Sequence, residues 1–291
     1  MANDQIQPEI FDRALIAARR AAMGNDLFLL ERCARDAAER LLDINRNFKA
    51  ALIIGNSAFT DALLAGLPDG KIKSLTRADH TSRPPNGVIA IDEEALPFAP
   101  ESFDLIVNGL TLHQINDLPG ALLQIKAALR PDGLFIGAMF GGATLTELRQ
   151  TLYMAEEQIY GRVTPRVSPM ADFSQAAALL QRAGFALPVV DSDRFTVHYK
   201  DPMRLLSDLK AMGETNALTK RSRMPVSKRF LTALRAAYLE HYANDDGKAR
   251  ASFEILWLTG WSPHESQQKP LKPGSAKMRL ADALGAVETK V

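Results

Sequence analysis

The sequence predicts an α/β protein: a mostly parallel, seven-stranded sheet with helices on both faces. Three observations carry this. Continuous apolar runs recur at Ala50–Ile54, Phe103–Val107 and Leu134–Met139, and strands covered on both faces read as unbroken apolar runs. Between the last two, Leu118, Ala121, Leu122, Ile125, Ala128 and Leu129 repeat at the spacing of one helix face. Pro131-Asp132-Gly133 then breaks that helix before the next run. Strand, helix and strand in succession lay helices over a parallel sheet.

The elements follow in order. Pro8–Met23 reads as a helix, and Asp26 as the cap of a second helix that runs to about Asp43. The first strand, Ala50–Ile54, ends in the turn Gly55-Asn56-Ser57. Ile72–Thr76 is expected as the second strand and Gly87–Ile91 as the third, the latter followed by Asp92-Glu93-Glu94. Phe103–Val107 ends in Asn108-Gly109, and Asn116 is expected to cap the helix that follows. Thr144-Leu145-Thr146-Glu147 and Asp172 with Gln175 have capping-box spacing. Gly184 stops the second of these helices, and Pro188–Tyr199 reads as one or two strands. Asp201-Pro202 opens a helix that ends near Gly213, with Asp as cap and Pro in the first turn. Ser227–Tyr242 is helical. Ala251–Trp261 is expected as the last, antiparallel strand. The expected organisation is N-terminal helices over 1–49, a core over 50–261 with helical lid insertions at about 144–170 and 201–250, and an extended tail over 262–291.

Composition narrows the classes. The 291 residues are 46% hydrophobic and 24% charged, with a net charge of +1. These are globular values, and the charge gives no reason to expect a nucleic acid or an anionic membrane as partner. The runs Arg19-Arg20 and Lys220-Arg221-x-Arg223 read as solvated, with contact to an acidic client as the alternative for the second. One cysteine, Cys33, excludes an internal disulfide. No apolar run has membrane-spanning length, and the N-terminal text has neither signal nor transit-peptide character. The expectation is a soluble, cytoplasmic protein. There is no GK[ST] phosphate loop, Cys-x-x-Cys, G-x-S-x-G elbow or HExxH. No metal site is expected.

The text Asp92-Glu93-Glu94, Leu96-Pro97-Phe98, Phe103-Asp104-Leu105-Ile106 and Leu129-Arg130-Pro131-Asp132-Gly133 resembles the class I S-adenosylmethionine (SAM) methyltransferases. The resemblance implies a Rossmann-like sheet and SAM as cofactor. It places the cofactor against Gly55, Asn56 and Ser57, where the family carries more glycines. Asp79, near the end of the second strand, is the candidate ribose acceptor, since a carboxylate can take both hydroxyl hydrogen bonds. Asp92, with Glu93 as neighbour, is the candidate adenine acceptor. Asn108 and Gly109 follow the fourth strand, where open α/β sheets bind ligands.

Segments outside this core narrow the resemblance. They are Phe11-Asp12-Arg13, Met139-Phe140-Gly141-Gly142 with Thr144-Leu145 and Glu147-Leu148-Arg149, Val167-Ser168-Pro169, Met212-Gly213-Glu214-x-Asn216, and Gly260-Trp261-x-Pro263-His264-x-Ser266-Gln267. Together they look like the family of respiratory complex I assembly factor 5, mitochondrial and alphaproteobacterial. The carrier-protein malonyl methyltransferases of biotin synthesis are similar through the core only. The closer resemblance implies a protein client in complex I assembly. Three functions follow: a SAM-dependent methyltransferase, which is favoured; a hydroxylase of an arginine on a complex I subunit; and an assembly factor without turnover. His113, after the fourth strand, and Tyr153 and Glu214, on the expected lid, are the candidate active-site residues. A carboxylate such as Glu214 can grip an arginine guanidinium in two parallel hydrogen bonds.

Overall fold

The strands begin where apolar residues alternate between two hydrophobic layers. In β1 (Ala51–Ile54), Ala51 and Ile53 face one core, and Leu52 and Ile54 the other. That is the period of two a strand requires, with both faces covered. The computed structural model, which describes residues 9–24 and 27–268, carries this through a seven-stranded sheet. The other strands are β2 (Leu75–Asp79), β3 (Val88–Ala90), β4 (Phe103–Gly109), β5 (Leu129–Phe140), β6 (Ala186–Tyr199) and β7 (Ala249–Trp261). Their order is β3-β2-β1-β4-β5-β7-β6. β7 is antiparallel to both β5 and β6; the other neighbours are parallel. The expected topology is what is observed.

Helices fill both layers. α2 (Phe28–Leu42) and α3 (Ser57–Ala65) cover one face. α4 (Leu118–Ala128) and α6 (Phe173–Ala183) cover the other. α5 (Thr146–Tyr160), α7 (Pro202–Ala211) and α8 (Lys228–Tyr242) extend the first layer beyond the carboxyl ends of the strands, with α5 packed on α8. α1 (Arg13–Arg20) lies apart. Its Ile16, with Phe11, packs on Ala217 and Leu218 in a small cluster of its own.

The register positions the site. Ile54 stands opposite Ala78 on one side and Asn108 on the other. The ends of β1, β2 and β4 are therefore level, and Gly55, Asp79 and Gly109 emerge along one edge.

Several local expectations are corrected. β2 begins at Leu75, so Asp79 is its last residue. Pro188–Tyr199 is one strand, begun two residues earlier. Asp117, not Asn116, caps α4, its Oδ1 accepting from the Gly120 amide at 2.9 Å. Asn116 instead bonds the backbone of Phe11, its Oδ1 accepting from N at 2.8 Å and its Nδ2 donating to O at 3.2 Å. The Thr144–Glu147 capping box does not form. Leu145 is left-handed (φ 55°), its amide donates to Ser252 O, and α5 starts one residue later. Thr144 Oγ1 and the Glu147 carboxylate both bond the neighbouring β7, so the sheet takes the groups a helix cap would use. The box at Asp172 and Gln175 does form, and Gly184 closes α6 at φ 75°. Asp26 and the tail past residue 268 lie outside the described residues.

Candidate functional site

Two mouths open at the carboxyl ends of the strands. The first surrounds the Gly55 turn. Gly55 has φ +151°, and a Cβ there would stand 3.3 Å from Gly109 O, so the sequence needs glycine at this one turn position. Asn56 caps α3, its Oδ1 accepting from the Ala58 amide at 2.8 Å. Gly109 lets Phe59 of α3 pass, since a Cβ there would meet the ring at 2.6 Å. Asn108 is fully buried and engaged with Thr111, donating to its Oγ1 at 2.7 Å. It closes the loop after β4 instead of projecting into the mouth.

The acids of this mouth are already paired, and α1 supplies the cations. Arg20 Nε and Nη2 donate to Asp79 Oδ1 at 2.9 and 2.6 Å, with both side chains almost wholly buried. Burial alone would lower the Arg20 pKa, but the charges of Asp79 and Glu93 outweigh it and raise it. Arg13 donates to Asp92 Oδ1 at 2.9 Å, to Glu93 Oε2, and to Gln114 O at 3.1 Å. At Asp92 burial works toward a higher pKa, yet the Glu94 amide and the Arg13 guanidinium hold the carboxyl below its ordinary value. His80 sits between, its ring nitrogens 3.0 Å from the carbonyls of Ile91 and Arg13. His80, Asp92 and Glu93 form the one group among the described residues whose atoms could share a metal ion. The Arg13 guanidinium already bridges its two carboxylates. A cavity of about 130 Å³ remains, bounded by Arg20, Asn56, Ser57, Asp79 and Arg83.

The second mouth is larger and apolar. It is a cavity of about 280 Å³ under the lid. Leu145, Leu148 and Leu152 form one wall, Leu206 and Leu209 of α7 a second, and Phe230, Leu231 and Leu234 of α8 a third. The floor is polar: Glu214 Oε2 accepts from Gln114 Nε2 at 2.6 Å and lies 3.1 Å from His113 Nε2. With a proton on Nε2, His113 Nδ1 is bare, and it is buried without a partner. Glu214 Oε1 carries no hydrogen bond from a described residue. Arg166 also lines the cavity, over the Phe230 ring at 4.7 Å, and its Nε donates to Glu156 at 2.7 Å. Burial would raise the pKa of Glu156, but Thr164 and Arg166 hold it below the usual range.

The structure thus brings His113 and Glu214 together and leaves Tyr153 out. Tyr153 is exposed and absent from the cavity wall, because Leu148, Leu152 and Ala155 are the residues α5 turns inward. The Arg19-Arg20 run is not solvated as expected: Arg20 is buried on Asp79, and Arg19 Nη1 donates to Thr215 O at 2.6 Å. Arg13, Arg20, His80 and Gln114 were all missed from the sequence. Arg13 stands within the Phe11-Asp12-Arg13 segment that resembles the family, the one signal that could have found it.

Comparison with known proteins fits this geometry. Residues 69–137 match the model of a methyltransferase domain. The YcgJ protein of Bacillus subtilis superposes with a TM-score of 0.52 at 12% identity, over 78% of this chain and 98% of its own, which shows a shared fold. The arginine-hydroxylase NDUFAF5, mitochondrial, of Danio rerio is 41% identical over 263 residues, 88% of this chain and 81% of that protein. The chain belongs to the NDUFAF5 family. The human protein of the same name is 39% identical over 287 residues, 94% of this chain and 83% of its own. These family members are mitochondrial by name, which overturns the cytoplasmic expectation. No described helix is long and apolar enough to cross a membrane.

Proposed function

We propose that this NDUFAF5-family protein binds SAM at the Gly55 mouth and acts on an arginine of a protein client held in the Glu214 cavity. The client expected from the family is a subunit of respiratory complex I. The observation that carries the reading is the floor of the larger cavity: one part-buried carboxylate, fixed by His113 and Gln114, beneath apolar walls. A guanidinium is the planar, permanently charged donor such a carboxylate suits, and apolar walls accept its methylene stem.

The cofactor side fits SAM by donor type. Asp79 Oδ1 and Asp92 Oδ1 hold arginines, while the Oδ2 of each has no described partner and remains to accept from a ribose or an adenine. Gly55, Asn56 and Ser57 bring backbone toward the methionine end, and Arg20 adds a cation there. The fit is tight in volume. About 130 Å³ is small beside the roughly 300 Å³ and more of ordinary ligand sites, so a nucleoside would need the wall formed by α1 to move outward. Bound SAM would supply an electrophilic methyl group. This chain's own residues exclude water with the lid, hold the guanidinium at Glu214 and fix that carboxylate through His113 and Gln114.

The name its relatives carry favours a second reading of the chemistry, hydroxylation of the arginine in place of methylation. One experiment addresses both. Calorimetric titration with SAM and S-adenosylhomocysteine tests the cofactor. Mass spectrometry of a complex I client after incubation then separates an added methylene from an added oxygen. No heat of binding for either ligand would remove the cofactor assignment, and an unmodified client would leave an assembly factor without turnover.

A further inference from the structure

The segment 217–229, a loop that runs into the first turn of α8, rims the larger cavity and carries more positive charge than its ion pairs in the fold use. Its two ends continue into Asn216 and Phe230, both in the cavity wall, and Val226 in its middle also lines the mouth. The stretch Thr219-Lys220-Arg221-Ser222-Arg223-Met224-Pro225-Val226-Ser227-Lys228-Arg229 contains five cations and no acid, in a chain whose net charge is only +1. Arg221 is committed to Asp12 at 3.1 Å. Lys220, Arg223, Lys228 and Arg229 are exposed and form no ion pair with a described residue. Arg162, after α5, joins them, its Nη2 lying 3.4 Å from the sulfur of Met224. The acids nearby are otherwise engaged: Asp12 with Arg221, Glu156 with Arg166, and Glu214 with the floor. Glu9 alone shares a neighbouring depression with Lys220.

We propose that this lip docks acidic residues that flank the modified arginine in the client. The inference rests on the proposed function and adds a substrate class: an arginine in a short apolar segment bordered by Asp or Glu. The two charges of the surface then have separate tasks. The floor carboxylate selects the arginine. The exposed cations steer and align its neighbours, where complementary potentials raise the association rate and fix register. They also oppose entry of segments whose arginine is bordered by further basic residues, since like charges would meet at the lip.

The test uses three peptides of equal length with one arginine in an apolar centre, flanked by Asp/Glu, by Ser or by Lys. Binding to the full-length protein is read by fluorescence anisotropy at low and high salt. The variant K220Q/R223Q/K228Q/R229Q changes only exposed side chains, and circular dichroism checks its fold. The acidic-flanked peptide should bind at least about tenfold more tightly than the Ser-flanked one at low salt, with the advantage shrinking as salt screens it. In the variant the advantage should fall to about twofold or less, on the same grounds of charge complementarity. Equal binding of the three peptides, no binding of any, or an advantage that survives in the variant would overturn the proposal. So would co-sedimentation with phosphatidylglycerol vesicles that the variant loses while no peptide preference exists; the lip would then be a bilayer contact. A fourth peptide, with leucine for the central arginine, separates the two claims. If it binds as well as its parent, the Glu214 reading fails while the preference for acidic flanks stands.

Discussion

The two mouths solve opposite electrostatic problems with the same side-chain types. Around Gly55, four acids face the sheet end, and α1 neutralises Asp79, Asp92 and Glu93 with Arg20 and Arg13. Around Glu214 a single carboxylate is held by His113 and Gln114 and forms no ion pair with a described Lys or Arg, although it lies within electrostatic reach of Arg19 and Arg20. A charge already paired contributes to holding the chain together. A carboxylate with no direct Lys or Arg partner keeps an oxygen open to a cation from outside. The difference teaches where function and stability separate here: removing a cation from the first mouth should register in folding, and removing the carboxylate of the second in recognition.

The sharpest break of that contrast is Arg20→Leu. It leaves Asp79 buried without its partner, and losing one member of a buried pair costs about 3–5 kcal/mol. Urea unfolding should show the loss, and Arg20→Leu with Asp79→Leu together should recover most of it. If the single variant unfolds like wild type, the first mouth is not a structural pairing. Next in size is Glu214→Gln. Hydrogen bonds to charged groups contribute about 1.5–3 kcal/mol, so the affinity of an arginine-centred peptide should drop by that amount while the urea midpoint moves little. A shifted midpoint with unchanged affinity would reverse the roles assigned to the two mouths.

Asp92→Ala comes third. Loss of one neutral-donor hydrogen bond should weaken SAM by about 0.5–1.5 kcal/mol in calorimetry. An unchanged affinity would place the adenine acceptor elsewhere, Glu93 being the neighbour to test. The smallest effect is in pH. Asp92, Glu156 and Glu254 are all held below their ordinary pKa in the fold. Their contribution is complete above the unfolded values of about 4 and is lost as pH falls through the lowered folded ones. Stability should therefore decline with acid below about pH 4, and Glu156→Gln should flatten that decline slightly. Acid titration of the unfolding midpoint measures both.

What could be read from the sequence follows the range of the interaction. β1, β4, α6 and α7 were recognisable because apolar period, a capping Asp and a closing Gly act within a few residues. Asp79 was chosen because strand ends gather ligand acceptors, and it does end its strand, although that strand was placed too early. The pairings of Arg20 with Asp79 and Arg13 with Asp92 span 59 and 79 residues, and no local spacing announces them. Thr144 misled for the same reason. Its capping pattern was sound locally, but β7, more than a hundred residues on, offered its backbone first. Tyr153 was chosen for its hydroxyl, while the helix had already set Leu148 and Leu152 inward.

One feature bears on how this chain assembles. Phe11 bridges Leu218, Thr219 Oγ1 donates to Glu9 O across 210 residues, and Arg19 reaches Thr215 across 196. Closing a loop of that length carries an entropic cost that few contacts repay until the intervening chain is folded. Residues 9–20 find these partners only once the chain as far as Thr219 is in place. The acids of the Gly55 mouth wait with them, since their cations lie on that segment. Until those contacts close, the carboxyl edge of the sheet keeps its acids without their α1 cations.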